Sequence, residues 1–411
     1  MKINRSVLLR ILIVGTFVLY FYWLLFTPKH EEFATDKLIS KYIKHISLKK
    51  PGMKYILQWT LSSTIPFKLW GHGQDEFIRR KCKVNKCFVT PDRWFWNITE
   101  FDLVAFHGPE IEPRHKSLRK RVNVLSSKHR STNQKYVFVS IESSHNYPVC
   151  NKKFDGYFNW TWTYKLDSDV PYEYIAVKNI HGDFIGPKQN MKWIDVDLME
   201  PVNDTLRERL KTKNKTVVWF ASNCNALSKR QEFAEQLHFE LKKYNLNLHV
   251  FGDCGKHKCP RDKMKDCLKM IERDYYFYLA LENSFADDYV TEKLLWALQY
   301  YAIPVVFGGA NYTRFMPDGI YLDGRKLNPK ALAKEMVDII NDKERYYSFF
   351  KWHNHYSYHA REESPDTDGL CKLCEMLHDE ELMSKKTVYK DFRKWWNVPG
   401  DCQSQEDTPI S

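Results

Sequence analysis

The sequence predicts an α/β protein of two Rossmann-like halves behind a single membrane anchor, and three observations carry that prediction. Short apolar runs of strand length alternate with helix-length amphipathic segments, the pattern of buried parallel strands joined by helical crossovers. The chain of 411 residues suits two or three domains, each large enough to bury its own core. Near its amino terminus lies one apolar stretch of membrane-spanning length.

Composition removes other classes. With 43% hydrophobic and 15% aromatic residues the chain is neither disordered nor collagenous, and ten Cys in this length do not make a disulfide-stapled miniprotein. The net charge of +12 is unevenly spread: residues 1–50 carry 9 basic and 3 acidic side chains, residues 51–200 carry 22 and 16, and residues 201–411 carry 32 and 32. The densest run holds Arg114, Lys116, Arg119, Lys120, Arg121, Lys128 and Arg130. It has neither interleaved stacking aromatics nor a helix-turn-helix or zinc-finger frame, so it reads as a solvated face and no nucleic-acid partner is expected.

In chain order, residues 1–6 read as a cytosolic tail and residues 7–26 as a transmembrane helix, interrupted only at Arg10 and ending in Tyr20, Tyr22 and Trp23. At 1.5 Å per residue that stretch spans roughly the 30 Å of a bilayer's hydrocarbon. Lys2, Arg5 and Arg10 precede or open it and Glu31 and Glu32 follow, so the positive-inside rule places the remainder in the lumen. Two features agree with that compartment. Five N-x-Ser/Thr sequons offer N-glycosylation at Asn97, Asn159, Asn203, Asn214 and Asn311, although Asn159 and Asn311 sit in segments that read as buried. All ten Cys lie past the anchor, where an oxidising lumen favours bridges. The spacing of Cys82, Cys87, Cys371 and Cys374 also permits a four-thiolate zinc site, and Cys254 with Cys259 is a locally feasible bridge.

Residues 27–52 form a charged stem. Residues 53–202 read as a first α/β domain with strands near 55–59, 103–106 and 136–141, and residues 203–215 as an interdomain connection. Residues 216–355 repeat the alternation: strands at 216–221, 248–251, 275–281 and 303–307, with helices at 229–244 and 291–301. Residues 356–411 form a carboxy-terminal segment containing Cys-x-x-Cys.

The chemistry should lie at the carboxyl edge of the second sheet, where Ser222-Asn223, Glu282-Asn283-Ser284 and Gly308-Gly309 each follow a strand. Thr291-Glu292-Lys293 opens the intervening helix, whose positive end suits an anion, and the lysine adds a full charge. This reads as a nucleotide-diphosphate site. No Walker loop or G-x-G-x-x-G follows a strand, which disfavours ATPases and NAD enzymes. Asp167/Asp169, Asp195/Asp197 and Asp366/Asp368 form D-x-D triplets, but 27 Asp in this length give about two such triplets by chance. His353, His355 and His359 lack the glutamate of a zinc helix, so no metal site is expected.

The segment YLALENSFADDYVTEKLLWAL, residues 278–298, followed by IPVVFGGANY, residues 303–312, resembles the donor-binding signature of the α1,3-fucosyltransferase family. TPDR at 90–93, DLVAFH at 102–107, VFVSIESSH at 137–145, FNWTWTYKLDSDVPY at 158–172, FASN at 220–223 and the terminal CKLC extend the likeness over residues 53–397. The resemblance implies a GT-B type fold, two Rossmann-like domains facing across a cleft, in a single-pass type II Golgi membrane protein. It also implies inverting transfer of L-fucose from GDP-fucose to the 3-hydroxyl of an N-acetylglucosamine in a glycan. GDP-fucose is then a co-substrate, with no obligatory metal and at most stimulation by a divalent ion.

By motif, Glu142 corresponds to the general base, and Arg230 and Lys293 to the cations on the donor diphosphate. Ser222, Asn223, Tyr278, Glu282, Asn283, Tyr289, Thr291 and Glu292 correspond to positions around guanosine, ribose or fucose. The family pattern would pair Cys82 and Cys87 with Cys371 and Cys374. The chain departs from that pattern at Ser144, where proline is usual, at Lys165-Leu166 and at Leu281, and these changes bear on acceptor choice. Two rivals remain: a metal-dependent glycosyltransferase using Asp167 and Asp169, and a membrane-tethered glycan-binding protein without turnover.

Overall fold

The structure, a computed structural model, describes residues 49–60, 65–112, 130–361 and 367–402. The expected tail and anchor, nearly all of the stem and most of the basic run lie outside the described residues. Among those described, no helix is long and apolar enough to cross a membrane. Residues 49–51 with 94–96 belong to one compact unit, in which the Lys49 ammonium stands over the Trp96 ring at 5.5 Å. Residues 52–93 and those from 97 onward belong to another, which holds the sheets.

The first sheet contains β1 (Lys54–Gln58), β2 (Cys87–Thr90), β3 (Leu103–His107), β4 (Lys135–Ser140), β5 (Trp160–Thr163) and β6 (Val170–Pro171). Its order is β2-β1-β3-β4-β5-β6 and every pairing is parallel. All residues of β3 and β4 are buried, which explains why these strands read as continuous apolar runs: both faces of the sheet are covered. The chain leaves through the antiparallel pair β7 (Ile175–Asn179) and β8 (Phe184–Gly186).

The second sheet contains β9 (Lys215–Phe220), β10 (Leu248–Phe251), β11 (Tyr275–Leu281), β12 (Ile303–Phe307) and β13 (Leu322–Asp323) in the order β10-β9-β11-β12-β13, again all parallel. The helices Arg230–Lys242, Met264–Asp274 and Glu292–Gln299 are its crossovers. Strand β14 (Tyr356–Ala360) then returns to pair antiparallel with β7.

The expected strands and helices lie within one or two residues of those observed. Strands β2, β5, β6, β7, β8, β13 and β14 have no counterpart among the expected strands; five of the seven have only two to four residues, too few for a resolvable period. Residues 203–215 are more than a connection. Asn203 accepts a hydrogen bond from the Leu206 N–H and caps the helix Asp204–Leu210, while Val202 and Leu210 enter the core of the second sheet. The carboxy-terminal segment packs on the first sheet: Leu370, Leu373 and Leu377 of the helix Gly369–His378 join Phe77, Val89 and Trp162. Only glycine fits at its start, since a Cβ on Gly369 would stand 2.6 Å from Trp162 Nε1.

The disulfides are Cys82–Cys371, Cys87–Cys374, Cys150–Cys402, Cys224–Cys254 and Cys259–Cys267. The first two staple that helix to the first sheet and remove the thiolates a zinc site would need. The expected bridge between Cys254 and Cys259 is incorrect. Cys224 and Cys254 follow the adjacent parallel strands β9 and β10, which brings their Cα atoms to 5.3 Å. Gly252 donates to the His257 carbonyl, so the turn folds back on β10 and sends Cys259 on toward Cys267.

Candidate active site

In the second sheet the chain runs from β9 outward to β10 and then back across to β11, so the order reverses between β9 and β11. A crevice opens beyond the carboxyl ends of strands at such a reversal. Ser222 and Asn223 follow β9 and are exposed. Glu282 and Asn283 follow β11. Gly308 and Gly309 follow β12, where a Cβ on Gly309 would lie 2.6 Å from the Ala286 nitrogen, so the neighbouring loop packs directly on the backbone.

Glu282 is 1% exposed. It accepts from the Thr291 N–H at 2.8 Å, from the Thr291 hydroxyl at 2.9 Å and from Lys293 Nζ at 3.1 Å. The lysine also donates to Thr291 Oγ1 at 2.6 Å. Thr291 thus turns its hydroxyl toward Glu282 and does not cap the helix Glu292–Gln299. Burial opposes the charge of Lys293, but the carboxylates of Glu282 and Glu292 outweigh it and raise the pKa, so the ammonium stays ionised.

Arg230 opens the helix Arg230–Lys242 and is buried. Nη1 donates to the Leu281 carbonyl at 2.7 Å and Nη2 to the Asn223 carbonyl at 3.2 Å, so one guanidinium ties the ends of β11 and β9. Among the described residues its buried Nε has no hydrogen-bond partner. Desolvation lowers its pKa, yet a guanidinium remains charged.

Glu142 follows β4 of the other sheet and is half-buried. Tyr289 OH donates to its Oε2 at 3.3 Å. Desolvation raises the carboxyl pKa; Lys293 and the Tyr289 bond pull it down, and Glu292 and Glu282 push it further up. The carboxylate therefore shares one electrostatic environment with Lys293. The loops carrying these groups touch: Ser143 Oγ bonds Ser284 Oγ, and Asn146 Nδ2 donates to Asn283 Oδ1 at 3.0 Å.

Glu142, Asn283, Tyr289, Thr291, Glu292, Lys293 and Arg230 thus converge with Ser222 and Asn223 at one edge. Tyr278 is fully buried beneath Phe220 at 6.1 Å and among the described residues its hydroxyl has no hydrogen-bond partner, but it lies in the electrostatic field of Glu292, Glu282 and Arg230, on the inner side of that edge. Asp288 is a residue the sequence does not single out. It adopts φ 61° and accepts from Arg314 at 2.6 Å, Gln189 at 3.0 Å and the Leu166 N–H at 3.2 Å, holding Tyr289 beside the first sheet. Its only sequence signal is its place beside Tyr289 in the long motif. A second polar cluster marks the reversal between β1 and β3, where the His107 N–H donates to Thr60 Oγ1 at 2.8 Å, His107 Nδ1 pairs with Glu110 at 3.2 Å and Arg93 lies over Trp59 at 4.1 Å.

Other candidates are structural. Asp169 accepts from Thr161 and Tyr389, and Asp167 from Trp395 Nε1, so both carboxylates are engaged by protein donors. His353 stacks on Trp352 at 3.7 Å and burial pushes its pKa down to about 3. Among the described residues the one metal-like grouping is Cys87, Cys374 and His378, whose two sulfurs form a bridge. Of the sequons, Asn97, Asn203, Asn214 and Asn311 are exposed, correcting the buried reading of Asn311. Asn159 is 8% exposed, accepts from the Tyr136 N–H and donates to the Thr387 carbonyl.

Two parallel α/β sheets, with a carboxylate from one and two cations from the other, suit group transfer from an anionic donor, and the family match gives the class: a glycosyltransferase. Residues 51–175 match the family profile described as fucosyltransferase, N-terminal, and residues 210–395 that of glycosyltransferase family 10 (fucosyltransferase), C-terminal. The chain belongs to this family. It is 35% identical to alpha-(1,3)-fucosyltransferase C of Drosophila melanogaster over 77% of this chain and 70% of the relative. It is 29% identical to glycoprotein 3-alpha-L-fucosyltransferase A of the same fly over 92% of this chain and 68% of the relative. A crystal structure of an alpha1,3-fucosyltransferase with GDP-fucose aligns over 85% of this chain and 98% of its own at 14% identity, with a TM-score of 0.46.

Proposed function

We propose that the chain is an inverting α1,3-fucosyltransferase that moves L-fucose from GDP-β-L-fucose to the 3-hydroxyl of an N-acetylglucosamine in a glycan. The observation that carries this reading is that Glu142, at the end of β4 of the first sheet, faces Lys293 and Tyr289 at the strand ends of the second, where Arg230 also lies. A sugar hydroxyl is a poor nucleophile at neutral pH. Glu142, as carboxylate, accepts its proton while the oxygen bonds to the anomeric carbon of fucose. The bond from that carbon to the β-phosphate oxygen breaks, and its electron pair leaves with GDP. Direct displacement inverts the β-linked donor to an α-linked product.

Charge develops on the departing phosphate, where the two cations stabilise the transition state more than the ground state. Both are prearranged: Arg230 is held by two carbonyls and Lys293 by Glu282 and Thr291. Glu282 and Tyr278 act beneath the donor, one holding Lys293 and the other filling the core, while Ser222, Asn223, Asn283, Tyr289, Thr291 and Glu292 surround it. In this reading the first sheet with the helix Gly369–His378 forms the acceptor side, and the second sheet, with β7 and β14 packed in its core, the GDP-fucose side of a GT-B type enzyme. Residues 7–26 anchor it as a type II protein of the Golgi membrane. The test is transfer from GDP-fucose to a core N-glycan and to N-acetyllactosamine by the full chain, compared with Glu142→Gln. Failure on both acceptors, or undiminished turnover of the variant, refutes the reading.

A further inference from the structure

Residues 396–402 lie past the stretch matched by the family profile, which ends at residue 395. They nevertheless close on the loop that begins at Glu142. The Trp396 indole N–H donates to the Tyr147 carbonyl at 3.0 Å. The Asn397 amide forms a two-bond ring with Val149, accepting from its N–H and donating to its carbonyl, both at 2.8 Å. His145 Nδ1 and the Asp401 carboxylate stand 2.6 Å apart, and Cys150 is bridged to Cys402. The Trp396 ring also packs on Tyr164 at 5.7 Å, whose hydroxyl accepts from the Ser144 N–H at 2.9 Å. On its other side the loop meets the donor half through Ser143 with Ser284 and Asn146 with Asn283.

We propose that residues 396–402 form a strap that positions Glu142, with Asn397 and Asp401 as positioning residues and the Cys150–Cys402 bridge as its lock. The proposal rests on the reading of Glu142 as the base. A loop outside any helix or strand keeps one path only when its backbone groups are tied, and the strap ties Tyr147, Val149 and Cys150. A base displaced by 1 Å loses up to about a hundredfold in rate, so the path of this loop sets turnover. The strap's own bonds, to His145, Tyr147, Val149 and Cys150, fall on the acceptor side and touch neither Arg230 nor Lys293.

The test uses the full chain and four variants: Asn397→Ala, Asp401→Asn, Asp401→Glu and the pair Cys150→Ser with Cys402→Ser. Turnover, the Michaelis constants for both substrates, GDP binding by calorimetry and melting temperature are measured for each. Asn397→Ala and the double cysteine variant should lose about tenfold or more in kcat while GDP affinity stays within about twofold. Asp401→Glu should restore most of the turnover that Asp401→Asn loses. Retained GDP binding identifies the folded variants, and Asp401→Asn, the mildest change, keeps the test available if the cysteine pair fails to fold. Parental kcat with only a lower melting temperature, beside an inactive Glu142→Gln, overturns the strap alone. Full turnover of Glu142→Gln removes the base reading, and the strap proposal with it.

Discussion

Replacing Lys293 by Met keeps the length of the side chain and removes one of the two cations proposed for the leaving diphosphate. Its ammonium stands 3.1 Å from Glu282, whose side chain is 1% exposed. Stranding a buried carboxylate by removing its partner costs about 3–5 kcal/mol. Two bonds from Thr291 to Glu282 survive the change, which reduces the expected loss of stability to about 2–3 kcal/mol. The effect on chemistry is separate. Deleting one preorganised group aimed at developing charge lowers kcat by about 10²–10³, or about 2.7–4 kcal/mol of transition-state stabilisation. Initial rates at saturating acceptor and varied GDP-fucose, with thermal melting on the same samples, give both quantities. A folded variant with kcat within about fivefold of the parent would refute the assignment of Lys293 to the leaving group.

Three further expectations follow from the same geometry. The kcat/KM profile should fall as pH drops through the raised pKa of Glu142, above the ordinary carboxylate range near about 4.3; Tyr289→Phe removes a bond that favours the carboxylate and should move that limb to higher pH, whereas an unmoved limb counts against the pair. Peptide mapping of the chain expressed through a secretory pathway should find glycan absent at Asn159, whose amide is spent on Tyr136 and Thr387, and Asn159→Ala should destabilise the fold by about 1–3 kcal/mol through the stranded Tyr136 N–H; glycan at Asn159 would contradict the burial. Cys82→Ser with Cys371→Ser should cost only about 2–3 kcal/mol because Cys87–Cys374 keeps the ends joined, whereas removing both bridges should cost more than about 5 kcal/mol in denaturant melts, and equal losses would show that the two bridges do not act on one closure.

Strands β3, β4 and β11, and the middle of β9, were legible because burial on both faces leaves unbroken apolar runs, and the helix Glu292–Gln299 because a charged first turn opens it. A lysine is most often solvated surface, and Lys293 stood out only by its company, on the first turn of a helix beside the strand ends at Ser222-Asn223 and Glu282-Asn283. What spacing cannot tell is depth. Glu282 and Tyr278 stand in the same motif as Thr291, yet one is an inner partner of the lysine and the other a core residue. Nor can it tell long-range closure. Cys150 and Cys402 are 252 residues apart, and the strap they lock joins parts of the chain that no local pattern relates. Cys254 shows the same limit at short range, because its partner was set by the neighbouring strand β9 and not by the nearest cysteine.

The central claim is that Glu142 takes the proton of the acceptor 3-hydroxyl as fucose leaves GDP. Single-turnover transfer by Glu142→Gln, with GDP-fucose bound and the product linkage read by NMR, tests it most directly. The account predicts an α-linked fucose at O3 from the parent chain, and a loss of about 10²–10⁴ in the chemical step for the variant with GDP affinity retained. Parental rates from Glu142→Gln, or a β-linked product from the parent, would contradict it.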